Sequence, residues 1–164
     1  MAQRSSAAGR RSKGAWYQLL PIKGGKAAGD GTISYMSEDD KNLLAIIELV
    51  RAGVSVHDFN EISKLTPFTQ AEWAGYLQVS ERTMQRNQKD QKPWPAIQSE
   101  RIVELALLYQ YGVSVFGDQE SFNAWLGGRN IALGGHAPKE LLDTKFGVTL
   151  VKDALGRIEH GIFA

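Results

Sequence analysis

The sequence predicts an all-α protein, and three observations carry that prediction. Apolar residues recur at i, i+3, i+4 and i+7, most plainly in Leu43, Ile46, Ile47 and Val50, the spacing that lines one face of a helix. Residues suited to helix N-caps (Ser37, Ser80, Ser99, Asp118 and Thr149) stand ahead of such runs. No stretch alternates apolar and polar residues long enough to compete as a strand, and no segment repeats another.

The elements follow in order. Residues 1–35 read as a flexible basic segment. Its first half is rich in Ser, Ala, Gly, Arg and Lys and has almost nothing to bury. Residues 16–35 add an apolar patch, Trp16-Tyr17-x-Leu19-Leu20, and the turn signals Gly24-Gly25 and Gly29-Asp30-Gly31. They read as a loop or short extended strand docked on the helices; no Gly-Lys-Ser/Thr follows at the spacing of a phosphate loop. From Ser37, with Glu38, Asp39 and Asp40 at the positive end of the dipole, a helix runs to Gly53. A second spans Ser55 to Leu65 and is closed by Pro67; two more lie between Thr69 and Gln88.

Lys92-Pro93-Trp94-Pro95 then breaks the helical pattern, because proline lacks an N–H and pushes the preceding residue out of helical backbone. It reads as a hinge between a domain at 36–92 and one at 96–164. Ser99 is expected to cap a strongly apolar helix ended by Gly112. That helix is apolar on more than one face, so it is either central or a dimer interface. Asp118 caps a short helix with Phe122, Trp125 and Leu126, and Pro138 suits the first turn of another. Thr149 is expected to cap the last, with Val151, Leu155 and Ile158 on one face.

Within the first domain, Gln70-x-x-x-Ala74-x-x-x-Gln78-Val79-Ser80-x-x-Thr83-Met84-x-Arg86 has the layout of a helix-turn-helix. Ala74 must be small where the second helix crosses it, Val79 and Met84 fill the wedge, and Ser80 caps the recognition helix. The candidate DNA-binding residues are Ser80, Arg82, Thr83, Gln85, Arg86 and Lys89, with Arg82 and Arg86 expected on guanine and Lys89 on phosphate. Gln78 departs from the pattern. Glycine is favoured there because the backbone turns left-handed, at a cost of roughly 1 kcal/mol for other residues.

The last third reads Phe122-x-x-Trp125-Leu126, Asn130, Leu133-Gly134-Gly135, Pro138, Leu141-Leu142, Thr144, Gly147, Val151, Leu155 and Ile158-Glu159-x-Gly161. That order and spacing resemble the toxin-binding domain of the Xre/MbcA/ParS antitoxins of bacterial type II toxin–antitoxin operons. Ser80-Glu81-Arg82-Thr83-x-x-Arg86 resembles the helix-turn-helix domain of the same family. The resemblance covers most of residues 55–164 and implies a partner toxin, typically of the RES-domain class, which consumes NAD by glycohydrolysis or ADP-ribosylation. It implies that the antitoxin's C-terminal region covers the toxin's active-site cleft. The candidate toxin-binding residues are then Gly134, Gly135, Arg157, Glu159, His160, Gly161, Ile162, Phe163 and Ala164. Phe163 is the expected anchor, and the alternative is that it folds back on its own core. Trp125, Leu126, Leu141, Leu142, Val151, Leu155 and Ile158 fall at helical spacing and read as scaffold.

Composition excludes other classes. The net charge of +1 makes the chain no polycation, so any DNA binding must come from local clusters such as Arg4, Arg10, Arg11, Lys13, Lys23 and Lys26 against the single acid Asp30. Without cysteine there are no disulfides or thiolate metal sites. No run of about 18 apolar residues offers a transmembrane helix, and the basic N-terminus has no apolar stretch behind it to make a secretory signal. A cytoplasmic protein is expected. His57, His136 and His160 lack metal-ligand neighbours at helical spacing, and no activated nucleophile is present, so neither an enzyme nor a cofactor is expected.

The sequence thus points to an antitoxin with two tasks: neutralising a RES-domain toxin with its tail, and repressing its operon through the helix-turn-helix. Paired operator half-sites call for a homodimer, with the helix at 100–111 as its candidate interface. The alternative is a stand-alone helix-turn-helix repressor whose C-terminal domain dimerises or senses a ligand. A third reading keeps the inhibitor and makes the helix-turn-helix vestigial.

Overall fold

The structure, a computed structural model, describes residues 40–162. The basic segment 1–35, the expected cap Ser37 with Glu38 and Asp39, and the terminal Phe163 and Ala164 lie outside the described residues. Among the described residues the chain is all-α, as expected. Seven helices are present: α1 (Asp40–Ala52), α2 (Val56–Leu65), α3 (Gln70–Leu77), α4 (Glu81–Asp90), α5 (Ala96–Phe116), α6 (Gln119–Gly127) and α7 (Lys145–Glu159). Two single 3-10 turns, Ile131–Leu133 and Pro138–Leu141, join α6 to α7. Pairing of strand type among these residues is confined to one isolated bridge, Asn130 to His136.

The early helices start and stop where local chemistry dictates. The Ser55 hydroxyl accepts from the Asp58 N–H at the head of α2, and Thr69 forms a reciprocal capping box with Glu72 at the head of α3. Gly53 ends α1 with a positive φ of 88°. The buried face of α1 is narrower than its periodicity predicts. Leu49 is buried and Ile46 and Val50 pack on the core, whereas Leu43 and Leu44 are 59% and 60% exposed. Among the described side chains, α1 meets the core from Ile46 onward.

Lys92–Pro95 does break the helical path, yet it is pinned. Trp94 is 2% exposed and its N–H donates to the Val54 carbonyl at 2.8 Å. Ser99 is not the cap of the next helix, because α5 already begins at Ala96 behind Pro95. Its hydroxyl, fully buried, accepts from the Val54 N–H at 2.8 Å and donates to the Trp94 carbonyl at 2.9 Å. The residue satisfies two backbone groups that burial would otherwise orphan.

Gly112 does not end α5 either. The helix continues to Phe116 and stops at Gly117, whose φ is +86°. Gly112 is where the Phe122 ring of α6 lies directly on the backbone, and a methyl group there would overlap the ring. The helix is central: α1, α3, α6 and α7 all pack on it. Ile102, Val103, Leu105, Ala106, Leu107, Leu108 and Tyr109 are all buried in one core cluster reaching both ends of the chain's described part. This overturns the expected dimer interface at 100–111, since those side chains are used up inside the monomer.

The last helix begins a turn earlier than expected. Thr144, not Thr149, is its cap, accepting from the Gly147 N–H at 3.0 Å, while the Thr149 hydroxyl donates to the Lys145 carbonyl inside the helix. Gly147 makes the early start possible. Any side chain there would run into the Leu141 carbonyl oxygen, so glycine lets the head of α7 press against the preceding turn.

Candidate functional site

Two surfaces carry the sequence-predicted site residues. The first is the helix-turn-helix of α3 and α4. Ala74, Leu77 and Met84 are buried between them, and the Val79 N–H donates to the Ala74 carbonyl at 3.0 Å. The turn goes left-handed at Gln78 (φ 54°, ψ 43°) despite the side chain. Ser80 caps α4, accepting from the Thr83 N–H at 3.1 Å, and the two hydroxyls share a further bond of 2.9 Å. Both residues therefore build the helix start. Arg82, Gln85, Arg86 and Lys89 are exposed along α4. Arg86 also shares a shallow cleft with Thr83, Asn87, Asp90 and Lys92. Lys92 also lines this cleft, its carbonyl accepting from the Asn87 side chain at 3.1 Å.

The second surface is built by α6, α7 and the loop between them. Asn130 closes that loop by donating its N–H to His136 and accepting from the Gly135 N–H and, through its side chain, from Ala132. Leu133 is buried as the loop's anchor. Gly134 and Gly135 are exposed and both take positive φ, 68° and 80°, which turns the chain toward Pro138. At the far end, α7 closes in a Schellman motif. The Ile162 N–H reaches back to the Arg157 carbonyl and that of Gly161, φ +67°, to Ile158. His160 is exposed at the cap and Ile162 is 60% exposed beyond it.

Glu159 is exposed but engaged, accepting from the Tyr111 hydroxyl at 2.7 Å. Burial first, and the Glu159 carboxylate next, push that phenol up to about 12. Arg157 is half-buried and lines an open groove of about 370 Å³ with Phe116, Trp125, Ile158 and Ile162. Phe146 and Leu150, also on α7, were missed as surface features. With the helix expected to start at Thr149, Phe146 had no place on its face.

The comparisons with known proteins agree with this geometry. A profile of the antitoxin Xre-like helix-turn-helix domain matches residues 45–107. A profile of the antitoxin Xre/MbcA/ParS C-terminal toxin-binding domain matches residues 112–161. A helix-turn-helix module followed by a toxin-binding module defines the class: this is an antitoxin. The chain belongs to the Xre/MbcA/ParS-type antitoxins.

Its relatives are distant but extend over most of it. The chain is 27% identical to antitoxin Xre of Yersinia enterocolitica over 73% of its own length and 81% of the relative's. It is 26% identical to antitoxin Xre of Photorhabdus laumondii over 80% and 87%. A Sphingobium protein named Prs ADP-ribosylating antitoxin is 29% identical over 85% and 94%. Among the described residues no helix is long and apolar enough to cross a membrane, and no cluster of His, Cys, Asp or Glu could hold a metal ion.

Proposed function

We propose that this antitoxin silences a RES-domain, NAD-consuming toxin, an ADP-ribosyltransferase or NAD glycohydrolase, by laying its C-terminal tail into the toxin's active site. The observation that carries the reading is the end of α7, where the helix closes at Gly161 and Ile162 stands exposed beyond it. The printed name of the Sphingobium relative, which couples an antitoxin with ADP-ribosylation, supports the choice of toxin class. Inhibition is steric. Ile162, Phe163 and Ala164 occupy a cleft shaped for an anionic cofactor, and Gly134, Gly135, His160 and Gly161 border the contact. Arg157 meets charge at the cleft rim, and Glu159, held by Tyr111, sets the direction in which the tail leaves α7.

The exposed row Arg82, Gln85, Arg86 and Lys89 reads the operator, so that the protein represses its own operon as a homodimer on paired half-sites. Both tasks place it in the cytoplasm. The test of the tail is co-expression with the neighbouring gene, comparing the intact chain with one ending at His160. Growth is expected with the intact chain alone. Equal rescue by the shortened chain sinks the tail mechanism, and a neighbour that is harmless by itself removes the toxin.

A further inference from the structure

The outer face of α7 carries an apolar stripe that the core does not use. Phe146 is 90% exposed and Leu150 42% exposed. Asp153 and Arg157 follow at helical spacing, so the four lie within about 60° of one another around the axis and span roughly 16 Å. A phenyl ring this bare, one turn from a leucine, is apolar surface kept in water without gain to the fold. Arg157, at the far end of the stripe, also lines the groove with Phe116, Trp125 and Ile162. The stripe therefore leads along α7 to the groove and then to the tail.

We infer that the toxin docks along this face, seating Phe146 and Leu150 in an apolar patch, with the tail as the far end of the same contact. This rests on the toxin-binding reading above and extends it from the tail to the whole outer side of α7. Two observations select the toxin rather than a second copy of this chain. The stripe lies entirely inside residues 112–161, which match a toxin-binding domain, and it is continuous with the exposed end of α7.

The experiment is calorimetric titration of the protein encoded by the neighbouring gene with the intact chain, with F146K, and with F146K combined with L150K. Ile97, 75% exposed on α5 outside the matched toxin-binding residues, supplies the control I97K. F146K is expected to weaken the complex roughly thirtyfold, the double variant more, and I97K not at all. Thermal melting should stay unchanged for F146K, because the ring is almost bare. Unchanged affinity for both lysine variants overturns the inference. So does an F146K chain that falls from dimer to monomer by light scattering while still binding the toxin, since a second copy then covers the face. Failure of the intact chain to bind that protein is a different result, which sinks the functional reading and this inference with it.

Discussion

Gln78 shows how a single residue can defy local preference inside a helix-turn-helix. Its backbone is left-handed, its side chain is exposed, and its N–H reaches the Ala74 and Gly75 carbonyls. The tightness of the turn is set by Val79 and Met84 packing behind it, so the fold absorbs the strain that glycine would avoid. Gln78→Gly is expected to stabilise the protein by about 0.5–1 kcal/mol, because the lost strain outweighs the added freedom of the unfolded chain. A melting curve raised by roughly 1–4 °C with unchanged operator affinity is the result to look for. A lowered melting temperature would mean that the Gln78 side chain holds something in place.

At the scale of elements, the two halves are fastened by side chains that no local pattern announces. Lys139, in the turn leading to α7, pairs with Glu72 of α3 at 2.8 Å, and the Tyr76 hydroxyl donates to the Lys139 carbonyl at 2.8 Å. Arg101 of α5 donates to the Tyr76 and Leu142 carbonyls and pairs with Glu104. The first helix of the helix-turn-helix is thus tied directly to the loop of the toxin-binding domain. Burial raises the Glu72 carboxyl, but the Lys139 ammonium and the Thr69 N–H outweigh it and hold the group below its ordinary 4.5. The unfolded chain then takes up the proton more readily, so this stabilisation is present above about pH 4.5 and is lost as pH falls through the lower folded value. Lys139→Ala should cost at most about 1 kcal/mol at pH 7, solvent screening keeping a part-exposed pair weak. The gap between the two chains should narrow as pH falls below 4.5 and close once it has passed the lower folded value, as followed by denaturant titrations; a gap that persists in strong acid would assign the loss to packing instead.

At the scale of the molecule, one helix supports both matched modules. α5 lies under α1 and α3 and equally under α6 and α7, and the two family matches meet inside it, at residues 107 and 112. Its apolar girth, which from sequence is compatible with a dimer interface, is spent on this shared core. A homodimer must therefore use another face. Operator binding tests the DNA half. Arg86→Ala is expected to lose about 1–3 kcal/mol on specific DNA, while Lys89→Ala should flatten the logarithmic salt slope by about one. If Arg86→Ala changes neither affinity nor salt dependence, α4 does not read bases. A monomeric mass at micromolar concentration would remove the paired half-sites as well.

What the sequence determined by itself was whatever depends on neighbours along the chain. The helical class, the caps at Ser80 and Asp118, and the helix-turn-helix frame follow from short-range hydrogen bonding and apolar spacing. So does the Leu133-Gly134-Gly135 turn into Pro138. The residues misjudged, Ser99, Gly112 and Thr149, each have a chemistry that serves equally at a helix end or in its interior. A hydroxyl accepts from whichever N–H lies beside it, and Ser99 meets the Val54 N–H, 45 residues away. A glycine stops a helix or makes room for a ring, and at Gly112 the ring of Phe122 decides. Once Gly147 sets the start of α7 by its contact with Leu141, Phe146 comes to lie bare on the outer face beside Leu150. Close approach between distant segments is a property of the packed chain, and that is why only the tertiary structure decided these points.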